Sequence, residues 1–130
     1  MIVLDASAIL EVLLATPAAS SVLSRLTAPG ETLHAPHLLD LEVLQVLRRY
    51  TANGDITVDR AHQAVVDYLD FPILRYAHEV LALRVWQLRD NLTAYDGAYV
   101  ALAEALAAPV VTRDRRMAAA RGHHATIELL

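Results

Sequence analysis

Four short strand-like runs, separated by longer segments of helical period, restrict the fold of this chain more than any other feature. Ile2-Val3-Leu4 runs straight into Asp5, Thr32 to Ala35 is closed by Pro36, and Pro72 to Arg75 and Pro109 to Thr112 follow later. Runs this short and this apolar suit strands of a parallel sheet buried on both faces. Ala125 to Leu129 reads as a last edge strand. Between the runs, Ser7 is read as the cap of a helix carrying Ile9, Leu10, Leu13 and Leu14, and Ala18 to Leu26 as a second helix. A long helix is predicted from His37 to Ala52, stopped by Asn53-Gly54, and another opens at Thr57 or Asp59 and ends before Phe71-Pro72. Further helices are predicted over Ala77 to Arg89, Ala94 to Ala107 and Arg113 to Arg121. This alternation describes βαβ units. The expected fold is α/β, a three-layer sandwich in which a central, mostly parallel sheet of four or five short strands forms one domain over residues 1–130. The ligand site of such a sheet lies outside the carboxyl ends of its strands, near a switch in strand order.

Composition removes several chemistries. The chain has no cysteine, which excludes a disulfide scaffold, thiolate metal sites and cysteine nucleophiles. All 11 basic residues are arginine, so chemistry that requires lysine is excluded as well. A net charge of −4 argues against binding nucleic acid through bulk electrostatics. Any phosphate chemistry therefore needs a local device. No apolar run reaches the 18 or so residues of a membrane span, and no basic segment precedes the first apolar run. The expectation is a cytoplasmic protein with no membrane partner. Aromatic residues are 5% of the chain, too few for an extended base-stacking platform, and the six histidines read as solvated loop side chains rather than a zinc site.

The acids are placed more pointedly. Asp5 ends the first strand, and Asp114 follows Val110-Val111-Thr112 by two residues, so both belong at the carboxyl edge of the sheet. Asp96 shares a helical face with Val100, Ala103 and Ala107 and points inward. On the long helix, Leu39, Val43, Leu44, Val46 and Leu47 make an apolar stripe, with Glu42 at its edge beside Gln45 and Arg49 and with Asp40 near its middle. An acid in a first helical turn ordinarily just complements the dipole, but two acids at adjacent strand ends change that balance. Four converging carboxylates repel one another, roughly 3 kcal/mol for a pair about 5 Å apart at an effective dielectric near 20. Divalent cations make that tolerable, and an all-oxygen donor set favours Mg²⁺ or Mn²⁺.

Asp5-Ala-Ser7, Pro36 followed by Glu42 on a helix, Thr93-Ala-Tyr95-Asp96 opening the Tyr99-Val-Ala-Leu-Ala-Glu helix, and Val111-Thr112-Arg113-Asp114 together resemble the PIN-domain nucleases. The length, and the stretch from Leu41 to Arg49, look most like the VapC-type toxins of toxin–antitoxin pairs. The resemblance implies a metal-dependent endoribonuclease with catalytic and metal-binding acids at Asp5, Glu42, Asp96 and Asp114. It implies supporting hydroxyls at Ser7 and Thr112, and Asp40 is kept as an outer supporting group. Mg²⁺ or Mn²⁺ would lower the pKa of a bound water and stabilise charge on the scissile phosphate. The residues themselves do not distinguish RNA from DNA; RNA follows from the resemblance.

The resemblance further implies a cognate antitoxin and a homodimer, and the apolar stretches Ile9 to Ala15 and Leu38 to Leu47 are compatible with exposed patches for such partners. Arg113, Arg115, Arg116 and Arg49 are the candidate RNA-binding cations beside the acids. Two rivals remain. A receiver or phosphatase domain also carries a Mg²⁺-binding Asp after its first strand, but it needs a lysine that this chain lacks. A catalytically silent PIN-like binding module would be expected to have lost an acid, and all four are present.

Overall fold

The structure, a computed structural model, describes residues 1–130. Its elements in chain order are β1 (Ile2–Leu4), α1 (Ala6–Leu13), α2 (Ala19–Leu26), β2 (Leu33–Pro36), α3 (Leu38–Ala52), α4 (Val58–Asp70) and β3 (Ile73–Tyr76). A 3-10 turn over Glu79–Leu81 then leads into α5 (Ala82–Gln87), followed by α6 (Ala94–Leu106), β4 (Val110–Thr112), α7 (Arg115–Ala119) and β5 (Ile127–Leu129). The five strands form one all-parallel sheet in the order β3-β2-β1-β4-β5. The chain leaves β1 toward β2 and β3, then returns to the other side of β1 for β4. The switch in strand order therefore lies between β1 and β4, where Leu4 pairs with Val111.

Successive residues of a strand face opposite sides of a sheet, and Ile2, Val3 and Leu4 are all fully buried, so both faces of β1 are covered. The expected α/β fold with a central parallel sheet is what the chain adopts. Helix α6 lies against β1 and β2, α1 lies against β4, and α2, α3 and α4 all touch α1. A single apolar cluster of 32 buried residues runs through these contacts, with Leu39, Val43 and Leu47 supplying the inward stripe of α3. Where α5 packs on α6, Val85 sits 3.4 Å from the point a Cβ would occupy on Gly97, so the two helices meet closely there.

Several expectations are corrected. Asp5, not Ser7, is the N-cap of α1, because the helix starts at the residue directly after the strand's terminal acid. Arg113 to Arg121 contains only the short α7, and Ala77 to Arg89 yields a 3-10 turn and six α-helical residues. His34 is not a solvated loop side chain. It is buried in β2 with its two ring nitrogens bonded to the hydroxyls of Thr32 (2.9 Å) and Tyr76 (2.8 Å). Of the apolar stretches expected to leave patches, Ile9, Leu10 and Leu13 are core, whereas Leu41 and Leu44 of α3 are exposed. Further exposed apolar side chains lie at Val80, Leu83 and Trp86 around α5 and at Tyr95 of α6.

Candidate active site at the carboxyl edge of the sheet

Asp5 and Asp114 follow the carboxyl ends of the two strands that flank the switch point. An open cleft of about 670 Å³ lies over these ends, and Asp5, Glu42, Asp96 and Asp114 all line it. Each acid comes from a different part of the sequence: the β1–α1 junction, the second turn of α3, the first turn of α6 and the N-cap of α7. Ser7, Glu11, Gln45, Arg49 and Tyr95 complete much of the wall.

Asp5 is buried and its surroundings are specific. Its Oδ2 accepts hydrogen bonds from Ser7 Oγ (2.5 Å) and from Thr112 Oγ1 (2.8 Å), while the Ser7 backbone N–H caps against the same oxygen. The two hydroxyls are fixed in turn by the backbone N–H groups of Arg113 on Ser7 Oγ and of Asp114 on Thr112 Oγ1, both at 2.9 Å. Asp5 thus has one oxygen consumed by the scaffold and Oδ1 free of protein donors. Glu42 is half-buried, and its Oε1 accepts from the hydroxyl of fully buried Tyr99 at 2.7 Å. Asp114 Oδ1 caps the Arg116 N–H at 2.8 Å. Thr93 caps α6 by accepting from the Asp96 backbone N–H at 3.2 Å.

The cleft is consequently rich in negative charge, with Asp5, Glu42 and Asp96 free of ion pairs and Asp114 3.7 Å from Arg116. Burial, and then the charges of Asp5 and Asp114, push the Asp96 carboxyl above the usual aspartate range. Burial is also the main reason that Glu42 rises; the Tyr99 hydrogen bond opposes it and the charges of Asp5 and Asp96 add to it. No three Asp, Glu or His side chains stand close enough to form a ready-made cation cage. The donor set nevertheless fits a hard divalent cation: it is all carboxylate oxygen, with the free oxygen of Asp5 and the Asp96 carboxylate both at the cleft.

Asp40 does not belong to this arrangement. It accepts from the Tyr68 hydroxyl (2.5 Å) and from Arg75 Nε (2.8 Å), so α4 and β3 hold it and it does not line the cleft. Arg113 is also committed elsewhere. Its guanidinium pairs with Glu11 at 3.1 Å and donates to the Leu130 carbonyl at 2.9 Å, which removes it from the set of free cations. Arg49 does line the cleft, Arg116 is 94% exposed beside Asp114, and Arg115 is exposed on the same short helix without an ion pair. Tyr99, which the sequence places only as part of the helix opening at Thr93-Ala-Tyr95-Asp96, is the polar partner that was missed. Its signal was its position, one turn after Asp96 on the buried face of α6.

Residues 2–122 match the family model of the PIN domain. Across its whole length the chain is 45% identical to ribonuclease VapC12 of Mycobacterium tuberculosis and covers 99% of that protein. Among solved structures, VapBC2 of Rickettsia felis, bound to a DNA fragment from their promoter, superposes with a TM-score of 0.73 at 13% identity over 98% of each chain. VapC20 of Mycobacterium tuberculosis, a sarcin–ricin loop cleaving toxin, gives 0.69 at 15% identity over 92% of this chain and 94% of that one. On the family match and the full-length identity, this chain belongs to the PIN-domain family, in its VapC group.

Proposed function

We propose that the chain is the toxin of a toxin–antitoxin pair, a metal-dependent endoribonuclease that cleaves RNA by hydrolysis. The observation that carries this reading is the convergence of four carboxylates, from four separate parts of the sequence, on one cleft at the topological switch point. The name of VapC12 as a ribonuclease and that of VapC20 as a loop-cleaving toxin support the RNA substrate. The solved toxin–antitoxin complexes among the similar folds support a cognate antitoxin.

Asp5, Asp96, Asp114 and Glu42 would hold Mg²⁺ or Mn²⁺, and the bound cation would supply Lewis acidity toward water and the scissile phosphate. The chain's own residues do the rest. Ser7 and Thr112 orient Asp5 through donors that are themselves fixed by backbone N–H groups. Arg49 on one wall, and Arg115 and Arg116 beside Asp114, offer cations to flanking phosphates, which offsets the chain's net negative charge locally. No side chain of nucleophile type is needed, and hydrolysis of this kind leaves a 5′-phosphate and a 3′-hydroxyl. A homodimer that covers the exposed Val80, Leu83 and Trp86, an antitoxin segment lying near α1, α2 and the cleft, and a cytoplasmic location complete the proposal.

The test is cleavage of end-labelled structured RNAs by chain freed of antitoxin, in Mg²⁺ or Mn²⁺, in EDTA, and with Asp96→Asn prepared identically. Cutting should need the metal, should leave 5′-phosphate ends, and should fall in Asp96→Asn by more than the 10–100-fold typical of losing an outer-shell partner. Metal-independent cutting, or full activity in Asp96→Asn, would overturn it.

A further inference from the structure

Two tyrosines, Tyr68 and Tyr99, are among the largest fully buried side chains, and each sends its hydroxyl to a carboxylate on α3. A buried phenol needs a partner for its O–H, so both bonds satisfy that demand. The two acids differ in what else holds them. Asp40 also has the guanidinium of Arg75 at 2.8 Å, which neutralises it. Glu42 has no cation and no other donor; Tyr99 is its one hydrogen-bond partner.

Glu42 also has reason to leave. It is half-buried, it has three rotatable bonds, and the charges of Asp5 and Asp96 face it across the cleft. A glutamate so placed relaxes by swinging its carboxylate into open water, where both burial and repulsion are relieved. The Tyr99 hydroxyl is the contact that opposes that swing. It takes Oε1 at 2.7 Å and leaves Oε2 without a protein donor. Because Tyr99 is fully buried, its ring cannot follow Glu42 outward. Asp96 lies one turn before Tyr99, so α6 supplies one acid to the cleft directly and fixes a second one on α3.

We infer that Tyr99 is a positioning residue of the cation site, holding Glu42 in the cleft so that cation affinity depends on a side chain that does not itself ligate. This rests on the metal reading given above and names a residue that the reading leaves out.

The experiment is a Mn²⁺ titration by isothermal calorimetry of EDTA-stripped full-length chain, comparing wild type, Tyr99→Phe, Glu42→Gln and the double variant, with thermal unfolding in EDTA run on each. Tyr99→Phe should weaken Mn²⁺ binding about tenfold, the low end of the range for outer-shell partners. In the Glu42→Gln background the same change should alter affinity less than about twofold, because its route is gone. A merely structural role would lower the melting temperature and leave the affinity of the folded chain alone. Wild-type affinity in Tyr99→Phe, or an equal loss in both backgrounds, overturns the positioning role while the metal reading survives. A wild-type chain that takes up no Mn²⁺ overturns both. Should Tyr99→Phe fail to fold, Glu42→Asp puts the same question, since its shorter reach cannot serve Tyr99 and the cleft together. It should lose about tenfold in affinity, and unchanged binding overturns the proposal.

Discussion

Thr112 has a single hydroxyl proton, and the contacts around it decide where that proton goes. Its Oγ1 lies 2.8 Å from Asp5 Oδ2 and 3.1 Å from Ser7 Oγ, and it accepts from the Asp114 N–H. Ser7 Oγ lies 2.5 Å from the same carboxylate oxygen and accepts from the Arg113 N–H. Asp5 takes both hydroxyl protons, so every bond runs from backbone N–H through a hydroxyl to Asp5, and the turn after β4 is clamped to the end of β1. Thr112→Val keeps the shape but removes a donor from Asp5 and an acceptor from the Asp114 N–H. It should cost about 1–3 kcal/mol in urea unfolding, and an unchanged midpoint would mean that water replaces both bonds. The four acids were legible as residues because strand ends and helix faces place them. Their partners were not. Asp40 and Glu42 stand two residues apart on α3, and nothing local tells that Tyr68 and Arg75 take the first while Tyr99 and the cleft take the second. The deciding groups lie 28 to 57 residues further along the chain.

Among elements, α3 carries Glu42 and yet lacks a cap of its own, because its N-cap position is His37, whose side chain accepts no bond from the helix. The missing acceptor comes from outside: His78 Nε2 takes the Leu38 N–H at 3.0 Å, and the Tyr76 carbonyl takes the His37 N–H at 2.9 Å. The segment after β3 is thereby pinned to the start of α3, and the chain turns tightly through Glu79–Leu81 before α5 begins. This is why a thirteen-residue helix was expected there and only Ala82–Gln87 is α-helical. Leu81, Val85 and Leu88 do pack against the core, as a helical spacing implies, but a tether to a helix 40 residues earlier leaves no trace in local pattern. The strands were readable for the opposite reason, since burial of both faces imposes an apolar run wherever one occurs. Removing the tether with His78→Ala should destabilise the fold by about 1 kcal/mol, as loss of an N-cap does. In thermal unfolding that is a fall of a few degrees for a chain of this size. A melting temperature equal to wild type would show that the Leu38 N–H is served without it.

Across the whole molecule, two sets of carboxylates pull stability in opposite directions as pH changes. Glu31 bonds to the N-terminal ammonium (2.6 Å) and Arg25 (2.7 Å), which brings it down to about 2. Glu104, held chiefly by Arg84 at 2.6 Å, also falls to about 2. The unfolded chain binds protons to these acids more readily than the folded one does. Their contribution is therefore complete above about pH 4.5 and is lost as pH falls toward 2. Glu42 and Asp96 have the reverse sign, because burial and neighbouring charge raise them in the fold. They weaken the metal-free chain at neutral pH, and that penalty is relieved as acid protonates them. In EDTA, the melting temperature should therefore rise or hold as pH drops from 7 toward the carboxylate range, then fall once the ion pairs are protonated. Mn²⁺ should change the neutral limb only. At a hundred times its dissociation constant it adds about 2.7 kcal/mol at pH 7, and the increment shrinks below about pH 5 as protons compete for the same oxygens. Glu104→Gln separates the two sets: it should lower the melting temperature at pH 7 and leave the Mn²⁺ increment intact, because Glu104 ties Arg84 and the His124 N–H far from the cleft. An increment that vanished with Glu104 would mean that cation binding acts through the global fold, whereas one that persists assigns the neutral-pH penalty to the acids of the cleft.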